Sequence, residues 1–492
     1  MHIAIHARRL ATAGVLAAAL APAALAQTEW VYGPTASTDQ GARRVSPVST
    51  ACGGGFVSVG TSIAGGNSNV YVVRTTAAGA PIWELQYDIG PGQNDRGESI
   101  VALSAGTGFV VAGSTTGTSG STDAFLMRLS CGGGIVWLNV YTSPTAEGAF
   151  DVIETRSGDA AFGTAVGDLV AAGFATNPAG STDAMIFRVR SNGNMIWNRR
   201  YDVAGAREQF RALIDARPTP PALAGDIVVG GWIDPGTGTV QQGYVARVDG
   251  NNGAIAGGLQ CAAHYGDASP QRFEAVTDIA ATSALVGQFV FGGVTSGPNT
   301  SNDIYLLRTQ PNPCLPLQQR RIGDSASAVF GDEVLTGLKE VAVVMPTPNI
   351  GPLGSLALTG HVGTASTAVA DNDASLLVVA PTTLAPLPGS GRLYGDHATR
   401  YESGASVVAH AAGFTIAGWN DADPQAVGDA RDLYVVNADV NGNTTCQAPW
   451  APTHIVPLFP VTTVTPTIAP FMTQAPKTAA IVSILTGFQS CP

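Results

Sequence analysis

A short apolar run that stops at glycine returns seven times along this chain. The copies are Phe56-Val-Ser-Val-Gly60, Phe109-Val-Val-Ala-Gly113, Leu169-Val-Ala-Ala-Gly173, Ile227-Val-Val-Gly-Gly231, Phe289-Val-Phe-Gly-Gly293, Leu356-Ala-Leu-Thr-Gly360 and Phe414-Thr-Ile-Ala-Gly418. The steps between their glycines are 53, 60, 58, 62, 67 and 58 residues. Self-similarity at this spacing points to a repeat architecture, in which each unit buries its apolar face against its neighbours. We call this strand b.

The rest of the unit follows from b. A loop of Ser, Thr, Gly and Asn leads to strand c, best seen in Asp123–Arg128, Asp183–Arg188 and Asp303–Arg308, with weaker copies from Asn69, Gln242, Asp373 and Asp432. A Gly- or Asn-bearing turn leads to strand d, which carries Trp and Tyr four apart in Trp83/Tyr87, Trp137/Tyr141 and Trp197/Tyr201; Cys261 takes the Trp place before Tyr265. Strand a comes next, as in Glu98–Leu103, Ala149–Ile153 and Gln209–Ile214. Apolar, β-branched and aromatic runs between turn residues are strand signals, and four antiparallel strands per unit make a propeller blade. The expected fold class is therefore all-β, a seven-bladed β-propeller over residues 27–446. Strand d follows c only six times, so Trp30-Val-Tyr32 is expected to supply the seventh and close the ring beside strand c of the last blade.

The unit Asp123-Ala-Phe-Leu-Met-Arg-Leu, a Gly turn, Ile-Val-Trp137 and Tyr141, then Gly-Asp-Leu-Val-Ala-Ala-Gly173, resembles the SBBP-type β-propeller repeat of secreted bacterial proteins. The resemblance covers about residues 28–446 and weakens in the fourth to sixth units, where strand d loses Trp. It implies a propeller of unassigned biochemical role and no shared catalytic motif.

Residues 1–26 are expected to be a secretory signal peptide: a basic start with Arg8 and Arg9, an apolar Leu10–Leu20, and Ala24-Leu25-Ala26 before the cleavage point. The full chain has a formal charge of −11; losing two of 25 basic residues and none of 36 acids leaves −13. Such a surface argues against nucleic acid as partner, because phosphate neutralisation needs a basic one. No later apolar segment reaches the ~20 residues of a membrane span. The expected location is secreted or periplasmic. Six cysteines in an exported chain favour disulfides and allow fifteen pairings. Position favours Cys446–Cys491, pinning the Pro-rich tail 447–492 on or near the last blade, and Cys261–Cys314 between neighbouring blades. Cys52–Cys131 is left by elimination.

Residues that recur in every unit are expected to be structural. The Asp at the start of strand c should bond turn backbone, the Trp/Tyr positions should pack between blades, and Arg96/Glu98, Arg207/Glu208, Arg272/Glu274 and Arg400/Glu402 should be surface ion pairs organising loops. Long polar b–c and d–a loops emerge on one face, which is the expected binding surface. Departures from the repeat there supply weak catalytic candidates, His264 with Asp267 and Asp396 with His397, since His beside carboxylate can do acid–base chemistry. Asp421, Asp423, Asp429 and Asp432 leave room for calcium, and no other cofactor is expected. The expected function is non-catalytic binding of a protein or glycan. The alternatives are a hydrolase or lyase acting on a polysaccharide or peptide, and a structural envelope component.

Overall fold

The computed structural model describes residues 28–490 apart from 33–38, 65, 91, 118–119, 217–224, 237–239, 281–284, 297–300, 324–329, 365–370, 396–400, 422–430, 445–447 and the tail segments 451–453, 456–460, 465–466, 470–472, 477–479 and 484–487. The proposed signal peptide, Cys446 and Cys491 lie outside the described residues. The chain is all-β: the helical segments among the described residues are single 3-10 turns at Thr50–Cys52 and Ala160–Phe162. No helix of the described residues is long and apolar enough to cross a membrane.

Antiparallel four-strand meanders in the order a-b-c-d repeat along the chain, consistent with a propeller-type repeat protein. Five of them form separate sheets, and two share a ten-stranded sheet through a single parallel bridge between Asn372 and Tyr401. The a strands are Asp39–Pro47, Asp95–Ala102, Glu147–Glu154, Arg207–Asp215, Gln271–Asp278, Phe330–Glu340 and Tyr401–His410. Strand Thr28–Tyr32 pairs with Arg431–Ala438, with Trp30 opposite Val435 and Val31 opposite Tyr434. It thus fills the missing d position, as its Trp-x-Tyr motif led us to expect.

The recurring glycine of strand b has a specific cause. Each a strand carries an extra residue at an equivalent point relative to its b partner: Arg43, Glu98, Phe150, Arg211, Glu274, Thr336 and Ala405. Such a bulge bends the strand and raises its local twist. It also swings the carbonyl two residues earlier against strand b. A Cβ on Gly60, Gly113, Gly173, Gly231, Gly293, Gly360 or Gly418 would collide with that carbonyl oxygen. The bulge in one strand thus dictates glycine in the next.

Apolar layers fill the space between successive units. Val170, Ile186 and Tyr201 of one meander meet Phe210, Val229 and Tyr244 of the next, and Tyr32, Leu433 and Val435 meet Ala42, Val45 and Phe56. The d-strand tyrosine then reaches across: its hydroxyl donates to a carbonyl in the next unit's c–d turn. The bonds are Tyr87 to Gly133 at 2.7 Å, Tyr141 to Gly193 at 2.8 Å, Tyr201 to Gly253 at 2.9 Å, Tyr265 to Pro313 at 2.6 Å and Tyr394 to Gly442 at 2.8 Å. Tyr32 donates likewise to Gly79. Where Ile322 stands in the tyrosine's place, Arg320 donates to the Thr383 carbonyl at 2.7 Å.

The d-strand tryptophans make the parallel contact, with Trp83 donating to Cys131, Trp137 to Ser191 and Trp197 to Gly250, each at 3.1 Å. Where Cys261 replaces Trp, a disulfide to Cys314 joins the same two places covalently. A second disulfide links Cys52 to Cys131. Both match the expected pairings. The Trp/Tyr positions do pack between units, as expected, and they also hydrogen-bond there.

The tail is not confined to the last unit. It runs back over the outer edge of every sheet, adding one short strand to each d strand. Ala448–Trp450 pairs with Gly391–Tyr394, His454–Ile455 with Pro316–Ile322, and Val461–Val464 with Cys261–Tyr265. Thr467–Ala469, Thr473–Pro476 and Ala480–Ser483 continue on Met195–Asp202, Ile135–Thr142 and Pro81–Asp88. Phe488–Ser490 ends beside Thr28–Tyr32, so the N-terminal strand is paired on both sides. Unpaired edges invite association with other chains, and this belt covers them.

Candidate functional site: the hollow of the inner strands

The bulged residues share more than a backbone position. All seven line one hollow of about 280 Å³, together with Arg44, Arg272, His361, Ser403 and Trp419. Each a strand starts at the face bearing the b–c and d–a loops, and Arg272, Val334 and Ser403, each two residues before its strand's bulge, also line the hollow, which places it toward that face. The extra residue turns each side chain inward, and unlike side chains stand at equivalent points: two arginines, two glutamates, a phenylalanine, a threonine and an alanine.

The charged members are held in place. Glu274 accepts from Arg272 at 2.6 Å and from Arg211 at 3.1 Å. Burial would raise the Glu274 carboxyl, but these two guanidiniums outweigh it and hold it below the usual range. Arg211 also lies over the Phe150 ring, 4.1 Å from its centroid, a cation–π arrangement that fixes its plane. Arg43 stands 3.8 Å from Glu98, a looser pair, with 56% of its side chain exposed. His361 meets the Ser403 hydroxyl at 3.2 Å. Burial pushes its imidazole down to about 4, so at neutral pH it carries no charge.

Arg44, which lines this hollow and the next, meets Asp151. The Asp151 carboxylate pairs with Arg44 at 2.7 Å, accepts from the Ser99 hydroxyl at 2.7 Å and accepts from the Leu213 backbone N–H at 3.1 Å. One carboxylate therefore ties four successive a strands. Below it, a second hollow of about 320 Å³ is lined mostly by aliphatic side chains, with Lys339 and Glu340 among them. Beside the upper hollow lies a third, of about 300 Å³, between the first two meanders. Arg43, Arg96, Ser68, Asn94 and Trp419 help to line it, and Arg43 and Trp419 belong to both.

The sequence candidates fall elsewhere. His264 lies on strand Cys261–Tyr265, the outermost of its meander, opposite Thr462 of the tail. It is buried, its Nδ1 meets the Gln242 side chain, and burial lowers its pKa. Asp267 accepts from the Ser269 N–H at 2.7 Å and from Gln271 Nε2 at 2.9 Å, the pattern of a capped turn. Asp396, His397, Asp423 and Asp429 lie outside the described residues, as does the side chain of Asp421. Asp432 sits on strand Arg431–Ala438 opposite Asn420. Among the described residues no group of three or more metal-ligating side chains gathers.

Two expectations about recurring residues are corrected. Two of the strand c aspartates pair with arginine on strand d: Asp183 meets Arg200 at 3.0 Å, and Asp303 meets Arg321. The four Arg/Glu neighbours are not equivalent surface pairs. Glu98 and Glu274 are bulges facing the hollow, whereas Glu208 and Glu402 are fully buried. Glu208 accepts from the Val203 N–H at 3.0 Å, Glu147 from the Ser143 N–H at 3.2 Å and Asp95 from the Ile89 N–H at 2.6 Å, each fastening the preceding d–a loop.

No family model and no curated protein matches the chain. Among solved structures, it is similar to Sqt1 from Chaetomium thermophilum at 10% identity and a TM-score of 0.41, over 84% of this chain and 98% of that one.

Proposed function

We propose that this chain is an exported, seven-bladed β-propeller that binds a glycan or protein through the face bearing its long loops, without catalysis. Three features support a closed ring: strand Asp39–Pro47 packs on Gly413–Asp421, the apolar layer around Tyr32 joins the first and last units, and Tyr32 reaches Gly79. Disulfides Cys52–Cys131 and Cys261–Cys314 support an oxidising compartment. The resemblance to SBBP-type repeats belongs with this reading.

The observation that carries binding is the upper hollow. It presents seven side chains of five kinds from seven inner strands, fixed by pairs such as Arg272–Glu274 on a frame of paired strands. Varied side chains on a rigid scaffold suit recognition. The inner-strand side chains that line it offer charge, hydrogen bonding and aromatic surface, and the His264–Gln242 contact lies on an outer strand, away from them.

The test is a screen of the immobilised protein against glycan and cell-envelope fractions. A saturable ligand recovered intact supports the reading. Turnover of a polysaccharide or peptide, or retention of nothing, overturns it.

A further inference from the structure

We infer that the upper hollow and its neighbour form a site for a hydroxylated carboxylic acid of sugar size, a uronic-acid residue. This rests on the binding function proposed above and names its ligand chemistry.

The first argument is charge. In a chain with formal charge −11, the side chains lining the two hollows include five arginines, Arg43, Arg44, Arg96, Arg211 and Arg272, against two acids, Glu98 and Glu274. Arg44 is committed to Asp151. Arg211 and Arg272 share the single Glu274, leaving one positive charge over. Arg43 is held only at 3.8 Å by Glu98, and Arg272 keeps 41% of its side chain exposed. Guanidinium groups bind carboxylates in paired hydrogen bonds.

The second argument is alternation. Around the bulge positions the order is Arg43, Glu98, Phe150, Arg211, Glu274, Thr336, Ala405, so each glutamate directly follows an arginine and donors and acceptors are interleaved. A compact dianion would be repelled by Glu98 and Glu274. A sugar acid brings one negative charge for an arginine and several hydroxyls that donate to those glutamates. Ser403, Thr336 and uncharged His361 complete a polar wall.

The third argument is size and shape. Each hollow, about 280 and 300 Å³, is at the small end of ligand pockets. The half-buried Trp419 belongs to both. An indole face suits the C–H face of a sugar ring, and two adjoining hollows suit two consecutive residues.

The test measures binding of tetragalacturonate, galacturonate monomer, fully methyl-esterified tetragalacturonate and inorganic phosphate by calorimetry at neutral pH and low salt. The acid tetramer is expected to bind and its methyl ester not. Arg43→Ala and Arg96→Ala should each weaken binding about tenfold, the scale of one charge-assisted hydrogen bond. Arg207→Ala, an exposed arginine lining neither hollow, should leave it unchanged. Binding by the tetramer alone assigns both hollows to a polysaccharide; binding by the monomer as well assigns the upper hollow to a free sugar acid. Equal binding of the methyl ester or of phosphate overturns the inference, as does binding indifferent to Arg43 and Arg96. If the screen recovers another ligand whose binding ignores these arginines, the inference fails while the binding function stands.

Discussion

The Tyr32 hydroxyl donates to the Gly79 carbonyl across a sequence separation of 47 residues. It joins the N-terminal strand to the c–d turn of the first complete meander, with the tyrosine fully buried. The Tyr32→Phe variant keeps the ring and loses the bond. We expect it to lose about 1 kcal/mol, the usual net worth of a buried hydrogen bond, read as a lower urea midpoint. Tyr141→Phe should cost a similar amount, since its bond to Gly193 is equivalent. A Tyr32→Phe protein as stable as the parent would show that this junction contributes nothing.

Gly113→Ala should be far more damaging than its size suggests. The new methyl meets the Arg96 carbonyl opposite the Glu98 bulge, and backbone cannot step aside as a side chain can. A loss of about 3 kcal/mol or more is expected, comparable with overpacking a core, or failure to accumulate as folded protein. Gly132→Ala is the control, because its new methyl meets only Ser130 Oγ at 4.0 Å. Equal thermal midpoints for the two variants would refute the link between bulge and glycine.

Removing the Asp151 carboxylate should loosen the inner strands together. Asp151→Ala leaves Arg44 without its 2.7 Å partner and the Ser99 hydroxyl and Leu213 N–H without an acceptor. Breaking a buried pair from one side costs ~3–5 kcal/mol, an upper bound for this pair because water reaches 23% of the Arg44 side chain. Hydrogen exchange at the amides of all four tied strands should speed up. Exchange confined to Glu147–Glu154 would argue that the carboxylate acts only locally.

Stability should fall as the solution is taken from about pH 4 to pH 9. Burial pushes Asp95 and Asp183 up to about 6, Glu147 up to about 7 and Glu208 up to about 9. A carboxyl raised in the folded state contributes its stability below its unfolded value, ~4, and loses it as pH rises through the folded value. These four therefore weaken the fold between about pH 4 and 9. Burial pushes His361 and His410 down to about 4, so their contribution is present above ~6.5 and lost as pH falls through that window. Four carboxyls outnumber two histidines, so melting temperatures should fall as pH rises from about 4 to 9, less steeply below ~6.5 where the histidines offset part of the loss, and Glu208→Gln should flatten the decline above about pH 7. A Glu208→Gln profile parallel to the parent's would exclude this carboxyl as a cause.

The strands were legible because their signal is local: alternating apolar side chains and turn residues at a steady interval. Trp30–Tyr32 was legible because a census left one d strand short. The bulges were not, since an extra residue shows only in the register between two strands. Their shadow was visible all the same, in the glycine each one imposes on strand b. The hollow escaped notice for the same reason: Arg43, Glu98, Arg211 and Glu274 are far apart in sequence and meet only because each occupies the same bulge. Arg96/Glu98 and Arg207/Glu208 looked alike as neighbours, yet Glu98 is its strand's bulge and faces the hollow, whereas Glu208 stands three residues before the Arg211 bulge and lies inside the protein. The tail strands are two to four residues long, too short and too interrupted by proline to be distinguished from extended coil without the edges they cover.

That belt gives the molecule a mechanical direction. Pulled from its C-terminal end, the tail would peel away from one sheet at a time, beginning at Phe488–Ser490 and finishing at Ala448–Trp450. Each release breaks only a few backbone bonds before the next is loaded, so resistance to force comes as a staircase of small steps, with the four-strand sheets beneath still intact.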